Sequence, residues 1–289
     1  STHAHLYKCL MISTPEGYDA FYEYFLYAKK AEMWDSFNSP SWENHHSFPL
    51  GEKDPDLIEA KESMTKEVFD QEFKGEFTAL SGRVYGDFSR NTHVGNYPYN
   101  PMLPVYLGVD FGYRMPACIF FQTGKLGERG EDHIFIIDEI LHEKNLKISK
   151  LCEAIQAKNY RIARVFGDPA GYQMQSSVGM GEADLFRQLT GWPVISRRDK
   201  YSRSIQSGIS HVRSYIMSAD GKIRLHINYN CTGIVEDLES YRYPEHKEGS
   251  KLNNEPLKDG LHDHGADSLR YGICGRFPIR KQKYRTEKL

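Results

Sequence analysis

The stretch that decides the fold of this 289-residue chain is PVYLGVDFG, residues 104–112. It is the first of three apolar runs that are separated by short turns, and PACIFFQ (116–122) and HIFIIDEILH (133–142) follow it. Runs rich in β-branched and aromatic residues between turn residues are typical of strands, and short connections favour antiparallel neighbours. We therefore predict an antiparallel meander of three strands.

The chain after the meander predicts a fourth strand that runs parallel to the first. LKISKLCEAIQAKNY (146–160) has the apolar spacing of an amphipathic helix, and IARVFGDPAG (162–171) has the pattern of a buried strand. A strand–helix–strand passage of this length implies a right-handed crossover and parallel pairing. The predicted fold class is α/β, a mixed sheet flanked by helices. The remaining predicted elements are helices at 182–190, 201–218 and 231–241, a short strand at 222–228, and a last helix from near His262.

The N-terminal part predicts a smaller, incomplete unit. YKCLMISTPEG (7–17) has the pattern of a short buried strand, and YDAFYEYFLYAKKAEMW (18–34) that of an aromatic-rich helix. Asp54 and Pro55 suit the N-cap and first position of a helix, and residues 54–77 predict two short helices. The pattern changes near residue 80, so we predict two units, 1–80 and 81–289.

Composition and charge exclude several classes of protein. No apolar run reaches the roughly 20 residues needed to cross a bilayer, and the N-terminus lacks the pattern of a signal peptide, so an intracellular location is expected. The five cysteines are scattered singly, which argues against a zinc ribbon or a disulfide framework. The net charge is −2, but basic segments such as ISRRDKYSRS (195–204) and the tail from Arg276 suggest contact with a polyanion.

Two aspartates end predicted strands. Asp110 ends the first strand of the meander, and Asp168 follows the fourth strand in VFGDPAG (165–171). Ligands of open α/β sheets bind beyond the carboxyl ends of the strands. If the first and fourth strands are neighbours, the two carboxylates face each other, and a divalent cation is the usual way to relieve their repulsion.

A third polar cluster starts the last predicted helix, in GLHDHGADSLRYG (260–272). His262, Asp263, His264 and Asp267 lie there, and positions three or four apart share one face of a helix. Asp263 could instead be an N-cap that complements the helix dipole. Carboxylates and one imidazole suit Mg²⁺ or Mn²⁺, and two such ions would bind the attacking and leaving oxygens of a phosphodiester hydrolysis.

The order of these motifs resembles the large terminase subunits of tailed double-stranded DNA bacteriophages. YLGVDFG (106–112), VFGDPAG and DHGADSLRYG (263–272) are similar to the three acidic motifs of the terminase nuclease. LMISTPEGYDAFYEYF (10–25) is similar to the end of the packaging ATPase, and FDQEFKGEFTALSGRVYGDF (69–88) to the passage into the nuclease. RRDKYSRSIQSGISHVRSYI and CTGIVEDLESYRYPE resemble the stretches between the second and third motifs.

The resemblance implies an RNase H-like nuclease domain at 81–289, preceded by a partial ATPase-domain segment at 1–80. It implies that Asp110 bridges two metal ions, that Asp168 is the second ligand and Asp267 the third, and that His264 corresponds to a histidine found in part of the family. Asp263 stays an alternative or additional ligand. The implied activity is metal-dependent cutting of concatemeric viral DNA with little sequence preference.

The resemblance also implies partners and a location. The partners are double-stranded DNA, a small terminase subunit, a portal protein and further copies in a ring of the full-length protein. The location is the host cytoplasm, outside the mature virion. The sequence contains no GxxxxGK[ST] motif, so no ATPase activity is expected of this chain.

Other functions compete with this interpretation. GVDFG (108–112) also resembles a phosphate-binding turn of actin-like ATPases and kinases, and a non-catalytic DNA-binding module would use only the basic residues. IFIIDEIL (134–141) imitates the Mg²⁺-binding strand of P-loop enzymes, but we predict the third strand of the meander there, with Asp138 or Glu139 able to approach the metal site. The residues predicted to seat DNA beside the acidic cleft are Arg197, Arg198, Lys200 and Arg203.

Overall fold

The computed structural model describes residues 9–15, 20–77, 82–112, 115–127, 129–168, 171, 180–196, 204–244 and 255–279. Its helices are α1 Ala20–Ala28, α2 Pro55–Ser63, α3 Lys66–Lys74, α4 Arg90–His93, α5 Ile148–Ala157, α6 Glu182–Thr190, α7 Ile205–Ile216, α8 Thr232–Ser240 and α9 His262–Arg276. Its strands are β1 Val94–Gly95, β2 Val105–Asp110, β3 Ala117–Leu126, β4 Glu131–Ile140, β5 Ile162–Gly167, β6 Val194–Ile195 and β7 Leu225–Asn228.

The seven described strands form one mixed sheet in the order β1-β7-β4-β3-β2-β5-β6. The meander is confirmed, because β2 pairs with β3 and β3 with β4 in antiparallel register. Parallel pairing of β5 with β2 is confirmed too, with Val109 opposite Gly167. The carboxyl ends of β2 and β5 therefore lie side by side at one edge of the sheet.

Helices cover both faces of the sheet and create two apolar cores. On one face α7, α8 and α9 pack against alternate residues of the strands, and on the other face α5 and α6 do so. The helical residues of the first core are Ile209, Val212, Tyr215, Ile216, Ile234, Val235, Leu238, Ala266, Leu269 and Ile273. Those of the second core are Ile148, Leu151, Cys152, Ile155, Ala183 and Phe186.

Helix α9 lies directly on the interior strand β2. A Cβ atom at Gly108 would stand 2.1 Å from the carbonyl oxygen of Ser268 and 3.1 Å from the Cα atom of Gly272. Only glycine at position 108 permits this approach. The hydroxyl of Ser268 donates a hydrogen bond of 2.6 Å to the Gly108 carbonyl oxygen. Because Asp110 is two residues beyond Gly108, it is on the face of the strand that α9 covers.

The N-terminal predictions have mixed outcomes. The two short helices are confirmed as α2 and α3, and Asp54 caps α2 by accepting a hydrogen bond from the Asp56 amide. The buried strand at 7–17 is wrong for its described part, because residues 9–14 are exposed and form no strand. Within the described residues these positions have no strand to pair with. The aromatic helix is confirmed but ends at Ala28 rather than near Trp34.

Helices α2 and α3 pack against the main sheet unit at the end of the sheet that lies away from Asp110. Residues 218–224 precede β7, which is parallel to β4 and so begins at that end. Ala219 donates its amide to the Met64 carbonyl oxygen, and Arg224 donates to that of Glu62. The predicted boundary near residue 80 falls at 78–81, outside the described residues. None of the described helices is long and apolar enough to cross a membrane.

Candidate active site

Asp110 lies at the carboxyl end of β2 and is 9% exposed. Its carboxylate is largely shielded from solvent because α9 covers this face of the strand. Burial raises the pKa of Asp110, the carboxylates of Asp267 and Asp168 raise it further, and His264 opposes the shift. A bound cation stabilises the ionised form of a carboxylate in such an environment.

His264, in the first turn of α9, makes the direct link to the strand. Its Nδ1–H group donates to Asp110 Oδ2 over 2.8 Å, across 154 residues of sequence. This hydrogen bond raises the pKa of His264, and burial opposes the rise. The imidazole is therefore a partial counter-charge for Asp110, and the structure brings together the two residues that the sequence placed at a strand end and a helix start.

Asp267 lies one turn further along α9 and is 8% exposed. Arg270, which is also buried, donates to its Oδ1 atom from Nη2 at 2.8 Å and from Nε at 3.2 Å. Both contacts use Oδ1, so the Oδ2 atom does not take part in this ion pair. The Arg270 guanidinium also stands 4.5 Å from the centroid of the Tyr271 ring.

Asp168 follows β5 at the same edge of the sheet. It interacts electrostatically with Asp110, and Asp110, Asp168 and Asp267 all act on the Tyr271 hydroxyl. Burial is the main cause that raises the pKa of Tyr271, and the three carboxylates add to it. The acids from three distant segments are thus near enough to influence one another and one tyrosine.

The start of α9 differs from one alternative that the sequence allowed. Asp263 is not the N-cap, because the helix begins at His262 and Leu261 precedes it. Asp263 Oδ1 instead accepts a 2.8 Å hydrogen bond from the Gly260 amide, and Asp259 Oδ1 accepts from the amides of Leu261 and His262. Asp259 therefore satisfies the first amides of the helix, and Asp263 is buried in its first turn.

Among the described residues, no group of three or more His, Cys, Asp or Glu side chains is placed to hold a metal ion directly. Asp110 and Asp267 pair instead with His264 and Arg270. The donor set still fits a hard divalent cation, because it offers carboxylate oxygens and one imidazole, and no cysteine lies among these donors. A bound ion would compete with the two protein cations for carboxylates that burial has already stripped of water.

Other predicted residues stay apart from this group. Asp138 is bonded to Lys158 and to the Tyr160 hydroxyl, and Glu139 accepts hydrogen bonds from the Gly233 and Ile234 amides at the start of α8. Neither carboxylate joins Asp110 in the described structure. The predicted DNA-seating residues Arg197, Arg198, Lys200 and Arg203 lie outside the described residues.

Sequence reasoning missed Arg270 and the pair Gly108–Ser268. Arg270 had a usable signal, since it is three residues after Asp267 and such pairs meet on a helix. Gly108 and Ser268 had none, because their contact spans 160 residues.

Comparisons with known proteins agree with the geometry, although no family model matches the chain. Over 279 residues the chain is 24% identical to the terminase large subunit of Escherichia phage T5, covering 92% of this chain and 58% of that protein. Its fold is similar to that of the large terminase of a thermophilic bacteriophage, with a TM-score of 0.58 and 17% identity over 77% of this chain and 51% of that one. The chain resembles large terminase subunits.

This result confirms the resemblance predicted from the acidic motifs, and the fold class, an RNase H-like mixed sheet flanked by helices, is confirmed with it. The nuclease domain of the large terminase from bacteriophage SPP1, solved with bound Mn, is matched over 63% of this chain and 94% of that domain, with 15% identity and a TM-score of 0.43. The chain spans just over half the length of the phage T5 terminase subunit.

Proposed function

We propose that this chain is the metal-dependent endonuclease part of a viral DNA-packaging terminase and cuts concatemeric double-stranded DNA by two-metal phosphodiester hydrolysis. The observation that carries the proposal is the meeting of Asp110, at the carboxyl end of β2, with the first turn of α9. There the 2.8 Å contact with His264 stands beside the electrostatically coupled acids Asp267 and Asp168.

The proposed ligands are Asp110, Asp168 and Asp267, with His264 and Asp263 as additional candidates. Mg²⁺ or Mn²⁺ held there would stabilise the charge that develops on the attacking and leaving oxygens. The chain's own residues prepare the site: α9 excludes water from Asp110, His264 orients its Oδ2 atom, and Arg270 fixes Asp267. The buried carboxylates lose little further hydration when a cation arrives.

A carboxylate cluster repels DNA, so a basic surface is needed beside it. We assign this role to Arg197, Arg198, Lys200 and Arg203, which would neutralise phosphates and give salt-dependent affinity with no sequence preference. In the full-length protein the proposed partners are a small terminase subunit, a portal protein and further copies of the chain in a ring. The proposed location is the host cytoplasm, and the protein is absent from the mature virion.

The test is cleavage of supercoiled plasmid by the purified chain with Mn²⁺ or Mg²⁺ and without nucleotide. We expect nicked and linear products, and none after chelation. For Asp110→Asn we expect a cleavage rate at least about a hundredfold lower. Loss of an outer-shell partner of a metal ligand typically lowers metal affinity or activity ten- to a hundredfold, and loss of the ligand itself should lower it more. Asp138→Asn is the matched control, since it alters a buried aspartate on β4 that is bonded elsewhere.

Wild-type cleavage rates in Asp110→Asn would rule out this assignment. The competing actin-like ATPase makes a different prediction, because it requires saturable ATP binding and no plasmid cleavage. A non-catalytic DNA-binding module would bind plasmid in a salt-dependent way and leave it intact.

A further inference from the structure

A second buried carboxylate touches α9 and has no part in the chemistry proposed above. Asp237 of α8 is 0% exposed, and its Oδ1 atom lies 2.7 Å from Nε2 of His142, with which it shares a hydrogen bond. Its Oδ2 atom is buried and has no hydrogen-bond partner among the described residues. Buried polar atoms without partners are rare and costly, so this one needs an explanation.

The free oxygen of Asp237 faces the backbone of α9 at Gly265. A Cβ atom at position 265 would stand 1.9 Å from Asp237 Oδ2 and 3.1 Å from Cδ1 of Leu141. A larger residue at 265 would have to displace the Asp237 side chain or move α9 away from α8. Gly265 follows His264 directly and is two residues from Asp263 and from Asp267, so the contact bears on the turn that carries the candidate ligands.

His142 holds the other side of the carboxylate. It has a φ of 61°, the left-handed region that residues other than glycine seldom adopt. Its ring meets the ring of His262 edge-on at 6.2 Å, and Nδ1 of His262 lies 2.6 Å from Oδ2 of Asp259. The contacts Asp237–His142, His142–His262 and His262–Asp259 therefore enclose the start of α9.

An apolar residue would serve packing better at position 237. Its neighbours Ile234, Val235 and Leu238 belong to the apolar core, and burial raises the pKa of Asp237 to about 9, with nearby acids adding to the effect. Burial also lowers the pKa of His142. The pair is neutral overall whichever partner holds the shared proton, so it gives the site shape rather than charge.

We propose that Asp237, held by His142, is a positioning residue that fixes the first turn of α9 and thereby the placement of His264 and Asp267 relative to Asp110. This inference rests on the proposed nuclease function. It adds that metal binding depends on a carboxylate that binds no metal.

The test measures Mn²⁺ binding by calorimetry and by the rise in melting temperature that Mn²⁺ causes, alongside plasmid cleavage against Mn²⁺ concentration. Asp237→Ala removes the support, so we expect Mn²⁺ affinity about tenfold weaker, similar to the loss of other outer-shell partners. Asp237→Asn keeps the shape and should restore most of the affinity. Asp138→Ala, the matched control, should lower stability and leave Mn²⁺ affinity unchanged.

Two further variants keep the test decisive if Asp237→Ala does not fold. His142→Asn tolerates the left-handed backbone but is too short to reach Asp237, so it should weaken Mn²⁺ binding in the same way. Gly265→Ala should weaken Mn²⁺ binding as well. In the double variant the loss of binding free energy should be less than the sum of the two single losses, because removing the Asp237 carboxylate makes room for the new methyl group at 265.

The outcomes separate this inference from the proposed function. If wild-type chain binds Mn²⁺ and cleaves plasmid while Asp237→Ala and His142→Asn keep wild-type Mn²⁺ affinity, the positioning role is refuted and the nuclease assignment stands. If wild-type chain neither binds Mn²⁺ nor cleaves, the nuclease assignment fails first, and the positioning role fails with it.

Discussion

His211 and His226 are partly buried and do not belong to the candidate site. His211 donates its Nε2–H group to the Phe277 carbonyl oxygen over 2.8 Å, and His226 stacks on Phe135 with 5.0 Å between ring centroids. Burial is the first cause that lowers the pKa of each to about 4, although the Phe277 hydrogen bond opposes it at His211. Both are held neutral in the fold.

This neutrality predicts that each of the two histidines contributes less stability as pH falls from 6.5 to 4, whereas groups whose pKa the fold raises, such as Asp237, contribute in the opposite direction. An unfolded histidine binds a proton near pH 6.5, whereas these two in the fold do so only near pH 4. Between those values each of these histidines binds more protons in the unfolded chain, so its contribution to stability falls as pH falls, by up to about 1.4 kcal/mol per pH unit.

Urea unfolding at pH 5 and pH 7 measures this loss of stability. His211→Gln keeps a donor for Phe277 and removes one titrating group, so its free energy of unfolding at pH 7 minus that at pH 5 should be smaller than the same difference for the wild-type chain. An unchanged difference would mean that His211 is not neutral in the fold.

At the candidate site, the sequence predicted the residues that belong to its elements and missed those that depend on contacts between elements. Asp110, Asp168 and Asp267 could be found because strand ends and a helix start are visible as local patterns. Asp237 could not, because its importance depends on Gly265 and His142, and nothing in α8 alone distinguishes it from a solvated acid. Pairings of this kind are set by packing between distant segments.

Among the elements, the seat of α9 on β2 controls the candidate site. The helix can reach Asp110 only because Gly108 leaves room for the Ser268 backbone. Gly108→Ala would drive a Cβ atom into a carbonyl oxygen that cannot rotate away. We expect a loss of about 3 kcal/mol in the free energy of unfolding, at the upper end of overpacking changes.

Urea denaturation of Gly108→Ala measures this cost, with Gly86→Ala as the control. A Cβ atom at Gly86 would meet nothing nearer than the Arg83 carbonyl oxygen at 3.8 Å. Its stability should change by less than about 1 kcal/mol. If both variants lost the same small amount, α9 would have to be loosely seated and the geometry of the candidate site would not depend on Gly108.

Secondary structure was predicted correctly where the apolar residues of a segment by themselves indicate a buried strand or helix. Strand β2 is buried almost throughout, and β3, β4 and β5 each contain a shorter buried stretch, as expected where helices cover both faces of the sheet. The two-residue strands β1 and β6 were missed because β7 and β5 supply their pairing, and the sequence of β1 or β6 alone does not show it. The N-terminal strand failed for the converse reason, since Leu10 and Ile12 have apolar side chains but lie exposed.

On the scale of the whole molecule, α2 and α3 are joined to the sheet unit by ion pairs. Arg213 of α7 is 8% exposed and donates to Glu67 of α3 at 2.9 Å and to Asp87 at 3.0 Å. Lys222 contacts Glu62 of α2 at 2.9 Å. An apolar cluster that includes Leu57, Phe69 and Phe73 packs against Ala219 beside these pairs. Helices α2 and α3 are therefore held to the sheet by side-chain contacts as well as by the chain.

Arg213→Met should loosen this attachment without altering the sheet. It leaves Glu67 facing a partly buried site with no guanidinium, and breaking a buried ion pair costs several kcal/mol. Because the Glu67 side chain is 39% exposed, we expect a smaller loss, about 2 kcal/mol. Hydrogen exchange should quicken in α2 and α3 and stay slow in α5.

Arg129→Met is the control, since its pair with Glu62 is at the surface and should contribute less than about 0.5 kcal/mol. A wild-type chain in which α2 and α3 exchange freely and melt separately would show that the ion pairs do not hold these helices to the sheet.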